Sequence, residues 1–217
     1  MRECLSYNDV LMVPQYSDIK SRSQVNLESR LGNKSFTLPI ISSPMDTITG
    51  TEMALAMEEA GGLGVVHRYC SIQEQIEMIS YENVRAAAIG VTGDFVDRVV
   101  ALYNAGIRIF CLDVAHGDHT HMQIAIERLK ETYGEEVHVM AGNVATREAY
   151  ERLSKWGADS IRVGIGGGSI CSTRIQTGHG MPTFQSVLDC AQSECDTTII
   201  ADGGITTAGD IVKALAA

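Results

Sequence analysis

Cys171 ends the run Gly164-Ile-Gly-Gly-Gly-Ser-Ile-Cys171, which follows directly on a short apolar segment. A thiol is a useful nucleophile only as its thiolate, and a thiolate near neutral pH needs aligned N–H donors or a nearby cation. The glycines leave backbone N–H groups free to face an anion, Ser169 adds a hydroxyl, and Thr173 and Arg174 follow closely. The run is not a Walker-type phosphate loop, since no Gly-Lys-Ser/Thr follows, nor a dinucleotide GxGxxG, since position 171 is Cys. Taken alone, a glycine run is equally compatible with a tight structural turn, and a cysteine with a small core hydrophobe. Core is the reading for Cys111, inside an apolar run, and for Cys190, on a helix. Cys171 lies at a strand-to-loop junction among small polar residues, and there the nucleophile is favoured.

The elements that must position this loop repeat along the chain. Seven short runs read as strands: Ile40–Ser43, Leu63–Val66, Ala86–Val91, Ile107–Asp113, Val137–Ala141, Ser160–Gly164 and Thr198–Ala201. Each reads as apolar on both faces, the pattern of a parallel strand covered on two sides. Helical stripes lie between them, among them Met53-Ala54-Met57-Ala60, Ile72-Ile76-Ile79 and Ile124-Ile126-Leu129. Thr51, Ser71, Asp118 and Thr146 are expected N-caps, and Gly61, Gly106 and Gly157 expected C′ glycines. Strand starts fall about 21 to 24 residues apart in the early units and about 39 apart across the Cys171 loop, so the insertion in an economical repeat is the place for chemistry. Polar loops after several different strands favour a (βα)8 barrel over a doubly wound sheet, which would gather them at one switch point. Seven strands and six complete helices run without a composition break, so 1–217 reads as one domain with a leader, 1–38, wrapped outside.

Composition narrows the partners. Seventeen Lys and Arg against 27 Asp and Glu give a net charge of −10, which argues against nucleic acid or an anionic membrane surface. It does not exclude a phosphate held by backbone N–H groups. No apolar run approaches a spanning helix and the start lacks a signal-peptide core, so a cytoplasmic location is expected. The six cysteines form no CxxC pair and read as reduced thiols.

Several motifs together resemble the IMP dehydrogenase and GMP reductase family. They are Ser6-Tyr-Asn-Asp-Val-Leu-Met-Val-Pro14, Ser43-Pro-Met-Asp-Thr47, Asp113-Val-Ala-His-Gly117, Ala141-Gly-Asn-Val-Ala-Thr146, Gly166-Gly-Gly-Ser-Ile-Cys-Ser-Thr-Arg174 and Ala201-Asp-Gly-Gly-Ile205. The resemblance covers nearly the whole chain in order. It implies a (βα)8 barrel that binds a purine 5′-monophosphate at the C-terminal strand ends, with covalent attack of Cys171 on C2 of the base and a nicotinamide cofactor carrying hydride. By that likeness Thr173 is a proton-handling hydroxyl beside Cys171. Ser43, Met45, Asn143, Ser169, Asp202, Gly203 and Gly204 hold the nucleotide, with Ser169 and Gly204 on the phosphate and Asp202 on the ribose. Asp113, Ala115 and Arg68 face the cofactor. The carbonyls of Gly166, Gly168 and Cys171 correspond to a monovalent-cation (K+) site in some members. Position 167 is Gly where the family commonly has Pro or Ser, so a looser loop with an optional cation is expected.

Only Tyr81–Arg85 bridges the second helix and third strand, so the regulatory CBS domains that IMP dehydrogenases usually insert there are absent. The Lys20-Ser-Arg-Ser23, Asp113-Val-Ala and Ala141-Gly-Asn-Val motifs resemble GMP reductase, whereas Met45-Asp-Thr-Ile-Thr49 and Gly61-Gly-Leu-Gly64 resemble IMP dehydrogenase. The balance favours NADPH-dependent reductive deamination of GMP to IMP. The alternatives are NAD-dependent oxidation of IMP to XMP without regulatory domains, and an inactive nucleotide-binding fragment. Likeness to the family also implies a homotetramer. The seventh strand is followed by only part of a seventh helix, so a longer protein is expected. Asp113, His116, Asp118, His119 and His121 invite a metal site, but His119 and His121 point apart on a helix, and solvated polar residues are the preferred reading. His179 is compatible with a cofactor contact or an exposed side chain, and Arg68 also with a loop cap. Trp156 reads as packing.

Overall fold

The computed structural model describes residues 2–32, 34–81 and 83–217. Residues 1, 33 and 82, which belong to the expected leader and to the Tyr81–Arg85 bridge, lie outside the described residues. Seven parallel strands form one curled sheet in sequence order: β3 (Ile41–Ser42), β4 (Leu63–Val66), β5 (Ala86–Ile89), β6 (Ile109–Asp113), β7 (His138–Val144), β8 (Ser160–Val163) and β9 (Thr198–Ala201). Ahead of them β1 (Ser29–Leu31) and β2 (Lys34–Phe36) form an antiparallel hairpin. Helices α1 (Thr51–Glu59), α2 (Ile72–Ile79), α3 (Phe95–Asn104), α4 (Thr120–Tyr133) and α5 (Arg147–Lys155) cross between successive strands. Two helices, α6 (Thr173–Thr177) and α7 (Thr183–Ala191), follow β8, and α8 (Ala208–Ala216) follows β9. This is the α/β architecture of a (βα)8-type barrel, here with seven strands.

Alternation along the strands divides the core in two. Val66, Ala87, Ile89, Phe110, Leu112, Val139, Ala141, Ile161 and Val163 face the helices. Leu63, Val65, Ala86, Ala88, Ile109, Cys111 and Met140 face the barrel interior, where Leu31 and Phe36 of the hairpin join them. The hairpin corrects the expectation of a leader lying wholly outside: its apolar side chains enter the sheet's concave side. Small residues allow close layers. A Cβ on Gly64 would lie 2.4 Å from Ala54 Cα, so α1 rests directly on the β4 backbone.

Most expected boundaries hold, with specific corrections. Ser71 caps α2 in a reciprocal box with Glu74, and Thr146 caps α5 through the Ala149 N–H. Gly50, not Thr51, occupies the cap of α1, and the Thr51 hydroxyl instead donates to the Met78 carbonyl at 3.1 Å. His119, not Asp118, caps α4 by accepting the His121 N–H, while Asp118 is held by the fork of Arg152. Ile124 is 53% exposed, Met53 41%, and Ala60 is exposed as well, so those three leave their stripes; α4 buries Met122, Ala125, Ile126 and Leu129 instead. Trp156, at the C-cap of α5, packs on the helix-side core as expected. Gly61, Gly106 and Gly157 adopt φ of 84°, 103° and 102° beyond α1, α3 and α5.

Candidate active site

The C-terminal ends of β6 to β9 bring the polar residues together. Arg162 on β8 points into the interior and is 7% exposed. Its Nη1 donates to Asp113 Oδ1 at 2.7 Å, at the end of β6, and its Nη2 to Asp202 Oδ2 at 2.8 Å, just past β9. Asn143 on β7 completes the cluster: its amide donates to Asp202 Oδ2 at 2.5 Å and to the Gly164 carbonyl at 2.8 Å. Burial opposes the Arg162 charge, and Cys111, Asp202 and Asp113 around it outweigh that penalty, so its pKa is raised. The sequence reading took β8 as apolar on both faces and missed this residue. The available signal was a charged side chain at an inward position of a short buried strand.

A second set of contacts joins two glycine loops. Gly203 and Gly204 have φ of 86° and 78° and lie backbone to backbone against Gly167 and Gly168. A Cβ on Gly204 would be 2.9 Å from the Gly167 carbonyl, and one on Gly203 3.1 Å from the Gly168 nitrogen. Only residues without side chains tolerate both the left-handed conformation and that proximity. Ser169 is exposed beyond this contact. Ser43, Asp202, Gly203 and Arg162 line a cavity of about 520 Å3 that extends along the concave side between β3 and β9.

Cys171 is partly exposed between Gly168 and α6, a helix that the sequence reading did not foresee. The neighbouring Thr173 hydroxyl and backbone, the Gly166 backbone and the charge of Arg174 favour its thiolate, outweigh the opposing effect of burial and lower its pKa. Cys111 is the opposite case: fully buried, its thiol is pushed up to about 11, and Cys190 on α7 is buried in the helix-side core.

Asp113, Asn143 and Asp202 are thus assembled around Arg162, Gly203 and Gly204 around the Cys171 loop, and Thr173 beside Cys171. Arg68 approaches the first group, with its Nε 3.7 Å from Asp113 Oδ2, and stacks over Tyr69 at 5.1 Å. Its Nε is buried without a hydrogen-bond partner, which leaves donor capacity beside Asp113 for a polar or anionic group. Met45 follows Ser43 in a turn closed by its own N–H on the Ser43 carbonyl at 2.8 Å. Ala115 is exposed, and His179 is exposed with its Nδ1 2.8 Å from the Thr177 carbonyl. No hydrogen bond or ion pair among the described residues joins Cys171 to the Arg162 cluster, so a ligand spanning both would have to bridge them. The Gly168 carbonyl accepts the Cys171 N–H at 3.1 Å, which leaves it one lone pair for a cation. Among the described residues no three His, Cys, Asp or Glu side chains are grouped to hold a metal ion, and no helix is long and apolar enough to cross a membrane.

A parallel βα barrel sheet with its polar clusters at the C-terminal strand ends has the form of a barrel enzyme site. The chain belongs to the IMP dehydrogenase / GMP reductase family, whose domain matches residues 4–217. That family comprises oxidoreductases acting on purine nucleotides. An inosine-5′-monophosphate dehydrogenase of Borreliella burgdorferi is 33% identical, with 100% of this chain and 67% of the relative covered. A GMP reductase of Buchnera aphidicola (from Acyrthosiphon pisum) is 35% identical, with 97% of this chain and 64% of the relative covered. The crystal structure of inosine 5′-monophosphate dehydrogenase from Legionella pneumophila superposes with a TM-score of 0.90 at 42% identity, covering 99% of this chain and 66% of that one. The chain therefore spans about two thirds of the length of these relatives.

Proposed function

We propose that this domain carries out redox chemistry at C2 of a purine 5′-monophosphate through a covalent bond from Cys171. The observation that carries the proposal is the Cys171 thiol itself, partly exposed in the loop after β8, followed by Thr173 and Arg174 and set beside paired glycine loops. Thiolate addition to C2 divides a difficult substitution into two easier steps, with the Thr173 hydroxyl giving and taking a proton at the sulfur. Gly203, Gly204 and Ser169 present backbone N–H groups and a hydroxyl for the phosphate. Asp202 accepts from the ribose, and Ser43 and Met45 flank the nucleotide. A nicotinamide supplies the hydride acceptor or donor when bound. Arg68, Asp113 and Ala115 are its expected contacts, and the approach of Arg68 to Asp113 supports that role.

Of the two directions, IMP oxidation with NAD is supported by the 42% identity to a solved IMP dehydrogenase. GMP reduction with NADPH, the direction the sequence motifs favoured, is supported by alignment length. The Buchnera GMP reductase aligns over 224 positions, whereas the Nitrosopumilus maritimus IMP dehydrogenase needs 347, so only the latter carries a long insertion relative to this chain. A cytoplasmic homotetramer, with K+ at the Gly166, Gly168 and Cys171 carbonyls, belongs to the same reading. Incubation with IMP plus NAD, and separately with GMP plus NADPH, followed by nicotinamide absorbance, tests it. Turnover in one pair assigns the direction. Nucleotide binding without turnover in either pair would reduce the protein to a binding domain.

A further inference from the structure

Gly167 has no side chain, yet its position is not empty. A Cβ built there would lie 2.1 Å from Thr183 Oγ1 and 3.3 Å from Thr183 Cβ. Thr183 opens α7 and is 3% exposed. The same side chain reaches the neighbouring glycines: its Cγ2 would be 3.4 Å from a Cβ on Gly164, and its Oγ1 3.8 Å from one on Gly204. Its hydroxyl also donates to the Asp202 carbonyl at 3.4 Å. A single buried threonine therefore borders Gly164 and Gly167 of the Cys171 loop and the Asp202-Gly-Gly turn. Gly167 does not have a left-handed φ, so its backbone accepts any L residue and only Thr183 excludes a side chain.

We infer that Thr183 is a positioning residue: a wedge from α7 that occupies the volume of the missing side chain at 167 and sets the separation of the Cys171 loop from the Asp202-Gly-Gly turn. The hydrogen bond is long and contributes little beside the packing. Removing the wedge leaves a cavity between two glycine loops whose bases stay joined, by the Asp202 N–H on the Val163 carbonyl at 2.9 Å and by Asn143 across Gly164 and Asp202, while their inner segments lose a support. The loops that would grip ribose and phosphate then settle toward the gap, and the spacing of the backbone around the Cys171 sulfur changes with them. The nucleotide consequence rests on the proposed function; the thiol consequence does not.

The test is a two-residue cycle on the full chain, comparing Thr183→Ala, Gly167→Ala and the double variant with the unsubstituted protein. Two readouts are taken: the pH midpoint of Cys171 alkylation by iodoacetamide, resolved from the other cysteines by peptide mass spectrometry, and IMP affinity by calorimetry. Thr183→Ala and Gly167→Ala each raise the alkylation midpoint and weaken IMP binding about tenfold, whereas the double variant regains most of both, because the alanine at 167 refills the gap. Thr183→Val, which keeps the volume, has a smaller effect than Thr183→Ala. If Thr183→Ala does not fold, Gly167→Ala against the double variant supplies the same comparison. Additive losses in the double variant, or an unmoved thiol in Thr183→Ala, would overturn the wedge. A thiol that shifts and recovers in a protein that binds no IMP would leave the wedge standing and sink the proposed function.

Discussion

Arg162 Nη2 and Asp202 Oδ2 lie 2.8 Å apart inside the barrel, and the same guanidinium holds Asp113 at 2.7 Å. One cation thus fixes two carboxylates from strands on either side of its own. Removing one partner of a buried pair leaves uncompensated charge, which costs about 3 kcal/mol or more. Arg162→Leu is expected to lower the unfolding free energy by about that amount, measured in urea. Arg162→Lys recovers part of it but cannot bridge both carboxylates in the same geometry. A loss below about 1 kcal/mol in Arg162→Leu would mean the cluster is not structural.

The donors at Cys171 set a pH dependence. Because they favour the thiolate, its pKa lies below the ordinary thiol value, so alkylation should rise with pH at a midpoint below that of an unperturbed cysteine thiol. Thr173→Val removes the largest contribution and should move that midpoint upward. An unchanged midpoint would show that the hydroxyl does not reach the sulfur in solution.

At the opposite end of the barrel, His138 Nε2 lies 2.8 Å from Ser160 Oγ beneath the β1–β2 hairpin. Burial lowers its pKa below the usual 6.5, and Lys34 and Lys130 lower it further against the opposing pull of Asp159. The unfolded chain therefore takes up the proton more readily than the folded one. Stability from this group is complete above about pH 6.5 and is lost as pH falls from there through the folded pKa. Urea unfolding between pH 7 and 5.5 should show that decline, and His138→Gln should flatten it. Equal slopes in both proteins would assign the decline to other groups.

The contact of α1 with β4 offers a packing test. A side chain on Gly64 meets Ala54 Cα at 2.4 Å, so Gly64→Ala should destabilise by about 1–3 kcal/mol through overpacking. Thermal unfolding checks it, and a neutral result would show that α1 shifts freely.

Much of this arrangement was legible in the residues. The seven strands follow from short apolar runs punctuated by glycines, and Ser71 and Thr146 cap their helices because a hydroxyl before an amphipathic run has few better uses. Besides α6, several features escaped, for separate reasons. The Ser29–Phe36 hairpin has three-residue strands with polar residues between Leu31 and Phe36, too short for a period to register, although the Gly32-Asn33 pair is a turn signal. Arg162 was hidden by its apolar neighbours, because a run averaged over its length conceals one inward charge. The fit of Thr183 against Gly167 joins residues on different elements, and no local pattern encodes a packing relation of that kind. Cys171 and Asp202 follow the ends of their strands as the repeat predicts, whereas β7 runs on through Asn143 to Val144, and that Asn143 and Asp202 bond each other emerged only from the fold.

The central claim is a covalent bond between Cys171 and the purine, and acid-quenched peptide mass spectrometry during turnover with IMP plus NAD tests it most directly. The account predicts a nucleotide-sized mass increase on the peptide containing Cys171, with both adduct and turnover lost in Cys171→Ser. Turnover that persists in Cys171→Ser, without any adduct in the unsubstituted protein, would contradict it.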